Sequence, residues 1–331
     1  MTKQLLTLKD AYKDYFKVGV AVSPATLERD GDLIREQFNS LTAENVMKPE
    51  EVQPEQGTFT FEQADGIVDF AKKNNMTMRG HTLAWHNQTP DWMFKDGDKP
   101  ASRDVALKHM KEHMHAVMSH FESPFYAWDV INEVVADEGE DILRESPWRT
   151  IIGDDYVQKA FEFARQANPD VALYYNDYNE SHPEKRDKIY TMLKDLLDKG
   201  TPIDGMGLQA HWGPEDPTLD NIRAAIEKYA SLGLTLQVTE MDVSAFNFGD
   251  KRTDLTEPTE EMMEKQAKRY EAFFSLFREY SDHIDSVTLW AASDRYNWLD
   301  DFPVRGRKNW PMLFDVNNQP KESFKRVVSF K

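Results

Sequence analysis

Two segments of the chain place a glutamate at the end of a strand-like apolar run, where a carboxylate is unexpected. AWDVINEVV carries Asn132 and Glu133 directly after β-branched residues, and LQVTEMDV carries Glu240 and Asp242. Two carboxyl groups facing one cleft can cleave a glycosidic bond, one as proton donor and the other as nucleophile or base. These segments therefore hold the candidate catalytic residues.

Other polar and aromatic side chains follow further strand-like runs. Carboxylate, amide, imidazole and ammonium groups bind sugar hydroxyls, while tryptophan rings stack on the apolar C–H faces of sugars. Each such residue alone is ordinary at the exposed end of a strand, but together they would line one binding cleft. The candidates are Glu44, Asn45, Lys48, His81, Trp85, Gln88, Tyr178, Gln209, His211, Trp290 and Trp298.

The elements that must position these residues alternate along the chain. Short apolar runs predict eight strands, and segments with helical spacing of apolar residues follow each of them. The predicted strands are 18–23, 41–45, 76–85, 125–132, 171–176, 205–209, 234–238 and 286–290. The predicted helices are 32–39, 61–73, 103–121, 156–166, 185–198, 219–230, 260–280 and 322–328.

Strands that alternate with helices pair in parallel, because each parallel neighbour needs a crossover connection. Eight such units in 331 residues predict a closed (β/α)₈ barrel. We expect one catalytic domain over residues 1–331 with no carbohydrate-binding module. An open doubly wound sheet is the alternative, but no glycine-rich phosphate turn follows the first strand, where Gly19 stands alone.

In such a barrel the carboxyl ends of all strands meet at one mouth, where barrel enzymes have their active sites. Residues two apart on a strand share a face, which pairs Gln209 with His211 and Glu240 with Asp242. The neighbours Asn132 and Glu133 cannot share a face of a regular strand. The strand must therefore either end there or bulge.

Composition narrows the possible partners. The formal net charge of −18 disfavours nucleic acid and anionic membranes as partners. The chain has no cysteine, which excludes disulfides and thiolate metal sites. Its first residues lack a secretory apolar run and no segment is long enough to span a membrane, so we expect a cytoplasmic protein.

Seven motifs resemble, in order, those of glycoside hydrolase family 10, the endo-β-1,4-xylanases. They are AENVMKP, GHTLAWH, WDVINE, YNDYN, GLQAHW, VTEMDV and TLWAASD. The resemblance extends over nearly the whole chain, and without a signal segment the chain is similar to intracellular members. It implies a retaining xylanase on a (β/α)₈ barrel that needs no metal or other cofactor and acts on xylan or short xylo-oligosaccharides.

The resemblance also implies a role for each candidate. Glu133 matches the general acid/base, Glu240 the nucleophile and Asn132 the residue that binds the sugar 2-hydroxyl. His211 resembles the partner of the nucleophile, with Asp242 behind it, and Tyr178 an aglycone-side stacking residue. The other matches concern the glycone side: Lys48, His81, Trp85 and Gln209 around the cleaved sugar, Glu44, Asn45 and Gln88 around the next one, and Trp290 and Trp298 as aromatic walls.

The retaining mechanism leads us to expect a particular distance between the two carboxyl groups and a protonated Glu133. The two carboxyl groups should lie about 5–5.5 Å apart. The negative charge of Glu240 should disfavour ionisation of Glu133, which keeps its proton near neutral pH. The resemblance also implies a cis peptide bond between His81 and Thr82. Two departures from the family, Ala210 and the sequence LWAASD, concern the fine shape of the cleft.

Other functions remain open from the residues alone. A cellulase or mannanase would use the same pair of glutamates, a non-catalytic sugar-binding barrel would need neither, and a metal-dependent sugar isomerase would need clustered carboxylates. His109 and His113 have the i,i+4 spacing of zinc helices, but the intervening glutamate is missing. We interpret that segment as the solvated face of an amphipathic helix.

Overall fold

Eight parallel strands close into a barrel in the computed structural model, which describes residues 5–330. Each strand pairs with the next one along the chain, and the eighth pairs with both the first and the seventh. The predicted (β/α)₈ barrel is therefore confirmed. The strands are β1 (Lys17–Val22), β2 (Ser40–Ala43), β3 (Thr77–Ala84), β4 (Phe125–Asn132), β5 (Ala172–Asp177), β6 (Gly205–Leu208), β7 (Thr235–Val243) and β8 (Ile284–Leu289).

Helices surround the barrel, one main helix after each strand. Their apolar faces pack on the outer side of the strands and form one continuous core with them. The main helices are Pro24–Gln37, Glu62–Lys73, Arg103–His120, Tyr156–Ala167, Pro183–Asp198, Leu219–Ala230, Glu260–Glu279 and Glu322–Val328. Leu8–Ala11, Pro49–Val52 and Pro147–Ile152 are additional short helices that the sequence analysis did not predict.

Local sequence explains where several helices begin. Thr218 and Thr259 each accept a hydrogen bond from the backbone N–H three residues later, which caps the two helices that follow. Ser23 does the same for Thr26, so the first main helix begins at Pro24 rather than at the predicted residue 32. Its backbone is kinked at Asp30, which interrupts the helical pattern in the sequence.

Three strands that carry candidate residues are irregular near their carboxyl ends. The pairing register shifts between His81 and Ala84 in β3 and between Asp129 and Ile131 in β4. It also shifts between residues 238 and 241 in β7. Such bulges redirect side chains next to active sites.

The inside of the barrel below the mouth holds buried charge. Arg79 on β3 donates two hydrogen bonds, of 2.7 and 3.1 Å, to the Asp129 carboxylate on β4 and a third to Gln237 on β7. Because both ions are fully buried, each depends on the other to offset its desolvation. This pair joins three strands beneath the candidate site.

The interpretation of His109 and His113 as solvated residues is wrong. Both are buried. His109 Nδ1 lies 3.1 Å from the carbonyl oxygen of Met93, and His113 Nδ1 lies 2.8 Å from the side-chain oxygen of Gln53. The two histidines therefore connect their helix to two earlier segments, one after β3 and one after the short helix Pro49–Val52.

Residues 5–330 contain no candidate metal site and no membrane-spanning helix. No three or more histidine, aspartate or glutamate side chains converge there in a way that could hold a metal ion. No helix in the same range combines the length and the apolar character needed to cross a bilayer. Trp148, Trp212 and Trp310 are all buried.

Candidate active site

Glu133 leaves the barrel through a change of backbone conformation. β4 bulges near Val130 and ends at Asn132, and Glu133 then adopts a left-handed conformation with φ of 57°. Its N–H still donates a 2.9 Å hydrogen bond to the carbonyl oxygen of Asn176 on β5. The strand thus both bulges and ends, so the adjacent side chains of Asn132 and Glu133 can enter one cleft.

Two donors hold the Glu133 carboxyl group. Trp85 Nε1 donates to its Oε2 and Gln209 Nε2 to its Oε1, both at 2.9 Å. Burial raises the pKa of Glu133 above its usual value, and the negative charge of Asp177 raises it further. The charge of Glu240 also raises the pKa of Glu133, in the expected direction, but it contributes less than Asp177.

Glu240, on β7, has the opposite environment. Its Oε1 accepts a 2.9 Å hydrogen bond from Asn176 Nδ2, and its Oε2 lies 3.0 Å from His211 Nε2. Burial alone would raise the pKa of Glu240, but the charges of His81 and His211 and the hydrogen bond from His211 outweigh it. The pKa of Glu240 is therefore held below its usual value, and the carboxylate stays ionised.

His211 lies between two carboxylates. Its Nδ1 is 2.9 Å from Asp242 Oδ2, which also accepts a 2.8 Å hydrogen bond from Trp298 Nε1. Burial opposes a charge on the ring, but Asp242 and Glu240 raise the pKa of His211 to about 10. His211 is thus a protonated imidazolium that donates to both neighbours at neutral pH.

Amide side chains connect the two sides of the site. Gln209 Nε2 lies 3.2 Å from Asn132 Oδ1, which also accepts a 3.0 Å hydrogen bond from Asn176 Nδ2. The same two nitrogens donate to Glu133 and Glu240, respectively. An unbroken hydrogen-bonded chain therefore runs from one carboxyl group to the other.

His81 is oriented from below by the buried ion pair of the barrel. Its Nδ1 lies 2.8 Å from Asp129 Oδ2, and its Nε2 lies 3.7 Å from Glu240 Oε1. The peptide bond from His81 to Thr82 is cis, as the family resemblance implied. His81 therefore adds a donor on the Glu240 side of the cleft.

The expected glycone residues form a second polar cluster beside the carboxylates. Lys48 Nζ donates to Asn45 at 2.8 Å and to Gln88 at 3.0 Å, and it lies 5.0 Å from the centroid of the Trp85 ring. Glu44 is buried nearby, and burial, partly offset by Lys48, raises its pKa to about 7. The structure thus places these five residues together.

Trp290 and Trp298 border the same part of the cleft. The Trp290 ring is almost edge-on to His81, with centroids 5.5 Å apart, and 6.4 Å from His211. Trp298 lies closer to His211, at 4.9 Å, and stacks on Phe302 on its other side. Both indoles therefore lie against the histidines that surround Glu240.

Tyr178 lies on the opposite side of Glu133, in an ionic network. Its hydroxyl accepts from Arg144 at 2.8 Å and donates to Asp137, while Lys185 Nζ lies 3.6 Å from its ring centroid. Arg144 Nε also donates a 3.1 Å hydrogen bond to the carbonyl oxygen of Glu133. A cation lies over the Tyr178 ring, and Arg144 connects this ring to the loop that begins at Glu133.

The sequence analysis missed several residues that support this site. Asn176 and Asp177 belong to the motif YNDYN, yet neither was singled out as a candidate. Asp129 was missed too, although it lies in WDVINE and pairs in register with His81 on the neighbouring strand. Registering adjacent strands against one another would have indicated Asp129, since Arg79 shares a strand face with His81.

Comparisons with known proteins agree with this arrangement. An endo-1,4-beta-xylanase of Geobacillus stearothermophilus is 53% identical over 332 residues, covering 99% of this chain and 100% of that protein. A solved structure of a mutant in complex with xylotriose is 51% identical with a TM-score of 0.97, covering 98% of this chain and 100% of that one. The intracellular xylanase of Thermoanaerobacterium saccharolyticum, also solved with xylotriose, is 42% identical with a TM-score of 0.90, covering 99% of both chains.

The sequence profile of glycosyl hydrolase family 10 matches residues 7–330, which is almost the entire chain. The profile extends over every strand of the barrel and every side chain of the candidate site. This chain therefore belongs to glycosyl hydrolase family 10.

Proposed function

We propose that this chain is a retaining endo-1,4-β-xylanase in which Glu133 is the general acid/base and Glu240 is the nucleophile. The observation that carries the proposal is that the pKa values of two carboxyl groups in one cleft are shifted in opposite directions. The pKa of Glu133 is raised, chiefly by burial, while that of Glu240 is lowered because its histidine partners outweigh its burial. Two carboxyls whose environments separate their pKa values are suited to acid and nucleophile roles, respectively.

In the first step Glu240 attacks the anomeric carbon and forms an ester bond to the sugar. The bond from that carbon to the leaving oxygen breaks, and Glu133 gives its proton to this oxygen. Charge builds up on the sugar ring in an oxocarbenium-like transition state, and the negative Glu240 stabilises it. The hydrogen bonds from His211 and Asn176 hold the two Glu240 oxygens in place during the attack.

In the second step water replaces the ester. Glu240 is now neutral, so its contribution to the raised pKa of Glu133 disappears, and Glu133 has already lost its proton. Glu133 therefore accepts a proton from water, which attacks the anomeric carbon and releases Glu240. Two inversions at the same carbon retain its configuration, and the mechanism needs carboxyl groups about 5–5.5 Å apart.

The remaining candidates have positions suited to binding sugars. We assign Asn132 to the 2-hydroxyl of the sugar that reacts, because its amide lies in the chain between the two carboxyls. The cluster of Lys48, Asn45, Gln88 and Glu44 would bind the adjoining sugar on the glycone side through its hydroxyls. Tyr178, which is held by Arg144 and Lys185 beside the loop that begins at Glu133, would contact the leaving sugar.

The substrate that this assignment supports is xylan or its short oligosaccharides. The relatives are named as xylanases, and two were solved with xylotriose, a β-1,4-linked xylose trimer. We extend this specificity to the present chain. Turnover of xylotetraose well above that of cellotetraose would support a xylanase, whereas the reverse order would indicate a cellulase on the same barrel.

We also propose a cytoplasmic location. One relative with nearly identical coverage is described as an intracellular xylanase. An enzyme in the cytoplasm would act on imported oligosaccharides rather than on the polymer. Fractionation of the producing cells, with the enzyme assayed in the cytosolic and secreted fractions, tests this proposal.

The catalytic assignment is tested by replacing Glu133 with Ala and varying the leaving group. Glu133→Ala should lose nearly all activity on xylan, since a sugar leaves poorly without a proton. It should keep the first step for a dinitrophenyl xylobioside, whose phenolate needs no proton, and added azide should then restore turnover. Glu138→Ala, in the exposed loop that follows, is the matched control and should behave as the parent enzyme. Equal loss of the first step on both substrates would contradict the assignment.

A further inference from the structure

A row of aromatic rings leads outward from the proposed active site. Trp298, which donates to Asp242, stacks on Phe302 with ring centroids 4.8 Å apart and planes only 19° from parallel. Phe302 in turn lies 6.1 Å from Phe248, with the two rings tilted by 54°. The row therefore connects the residues around the nucleophile to the protein surface.

The outer end of this row is unusually exposed. Phe248 is 70% exposed, the highest value for a large apolar side chain within residues 5–330, and Phe302 is 44% exposed. Phe248 lies in the loop after β7 and Phe302 in the loop after β8. Both loops leave the carboxyl ends of barrel strands, so both rings belong to the mouth of the barrel.

A positive charge lies beside the exposed ring. Lys251 Nζ is 5.8 Å from the centroid of the Phe248 ring. An exposed aromatic ring next to an ammonium group offers both kinds of contact that a sugar makes. The ring can stack on the C–H face while the ammonium group binds a hydroxyl.

We propose that Phe248, supported from behind by Phe302, forms an additional subsite for a xylosyl unit of a longer chain, beyond the sugars bound at the catalytic carboxyls. This inference rests on the proposed xylanase function and concerns its preference for chain length. Continuity of the aromatic row with Trp298 indicates that one substrate chain can contact both. The occupant is therefore part of the substrate and not a separate ligand.

Phe248 is the residue to change, because Phe302 also supports Trp298 and its removal would disturb short substrates as well. We expect Phe248→Ala to lower kcat/KM for xylohexaose about three- to tenfold, the loss of one stacking contact. The same variant should hydrolyse an aryl xylobioside at the parent rate, since that substrate is too short to reach the ring. Phe248→Trp keeps an aromatic ring and should hydrolyse xylohexaose with a kcat/KM near that of the parent. Leu219 is an exposed apolar side chain elsewhere, and Leu219→Ala should leave kcat/KM unchanged for both substrates.

An unchanged kcat/KM for xylohexaose in Phe248→Ala, or equal losses on both substrates, would overturn the subsite. So would a Phe248-dependent dimer in sedimentation with unchanged xylohexaose hydrolysis, since the ring would then belong to an interface between copies. Hydrolysis of the aryl xylobioside by the parent enzyme tests the proposed function separately. Failure of that reaction would contradict the xylanase proposal, whereas loss of the chain-length effect alone would contradict only the subsite.

Discussion

Asn176 donates one hydrogen bond to Glu240, at 2.9 Å, from the same nitrogen that lies 3.0 Å from Asn132 Oδ1. Its side-chain oxygen Oδ1 accepts a 2.6 Å hydrogen bond from the Thr239 hydroxyl on β7, so the amide cannot turn without breaking several contacts. The proposed nucleophile and the residue that precedes the proposed acid are thus positioned by one side chain. Catalysis should depend on this amide although it was not among the candidates.

Replacing Asn176 with Ala should therefore slow the reaction more than it weakens substrate binding. Loss of a buried hydrogen bond to a charged group costs about 1.5–3 kcal/mol, which corresponds to a loss of roughly 10- to 150-fold in kcat/KM. The measurement is steady-state kinetics with an aryl xylobioside, with circular dichroism as a check on folding. A well-folded variant with an unchanged kcat/KM would show that the amide is dispensable.

The acidic limb of the pH profile should report on His211. His211 donates to Glu240 and lowers its pKa, so its replacement by Asn removes a positive charge and raises the pKa of Glu240. The acidic limb of kcat/KM, which follows ionisation of the nucleophile, should move to higher pH. His182→Asn, on the exposed surface, should leave the limb in place. An acidic limb that stayed at the parent pH in His211→Asn would contradict the role of this ion pair.

The basic limb should depend on Asp177. Its charge raises the pKa of Glu133, and its carboxylate is held by Lys185 Nζ at 3.0 Å and by the Tyr178 N–H at 2.8 Å. In Asp177→Asn the negative charge is lost and the positive Lys185 remains, and both changes lower the pKa of Glu133. The basic limb of kcat/KM should then move to lower pH, whereas the exposed control Asp170→Asn should not move it. A basic limb that stayed at the parent pH in Asp177→Asn would contradict a role for Asp177 in raising the pKa of Glu133.

Two glycines offer opposite tests of packing. A Cβ on Gly80 of β3 would lie 2.0 Å from the Trp128 ring, so Gly80→Ala forces the buried indole to move. We expect it to lower the free energy of unfolding by about 1–3 kcal/mol or more. A Cβ on Gly66, in an exposed helical position, meets nothing within 4 Å, and Gly66→Ala should raise stability by about 0.5–1 kcal/mol. Thermal and denaturant unfolding measure the free energy of unfolding of both variants. Changes of the same sign in the two variants would contradict these packing assignments.

The barrel could be predicted because each element has a local cause in the sequence. Strand β4 was predicted with the bounds that the structure has, and Thr218 and Thr259 indicated where two helices begin. Apolar runs indicate buried strands, and helical periodicity indicates helices buried on one face. These two patterns alternate regularly along the chain in this fold. The short helix Pro147–Ile152 was not predicted, because six residues are too few to show the helical spacing of apolar residues.

Strand ends were harder to predict than strands. β7 was expected to end at residue 238 but continues to Val243, so that Glu240 and Asp242 belong to the strand and share one face. β6 ends at Leu208, and Ala210 then adopts a left-handed conformation with φ of 59°. Gln209 and His211 therefore reach the cleft through a turn and not, as expected, as neighbours on one face of a regular strand. Polar residues at a barrel mouth do not follow the alternation that apolar burial imposes.

The site itself was only partly predictable for a similar reason. The family resemblance assigned the residues expected to contact the sugar, whereas Asn176 and Asp177 contact or influence the two glutamates. These relationships depend on distances between different strands, and no spacing along one strand encodes them. The same applies to Arg144, whose hydrogen bond to the Glu133 carbonyl spans a loop.

The most direct test of the central claim is to trap the covalent intermediate on Glu240. A dinitrophenyl 2-deoxy-2-fluoro-β-xylobioside should react once per chain. The fluorine slows both formation and hydrolysis of the ester, whereas the good leaving group speeds only its formation, so the ester accumulates. Mass spectrometry of the digested enzyme should find the sugar on the peptide that contains Glu240, and the natural substrate should give products of retained configuration. A label on Glu133 or any other residue, or no label together with inverted products, would contradict the account.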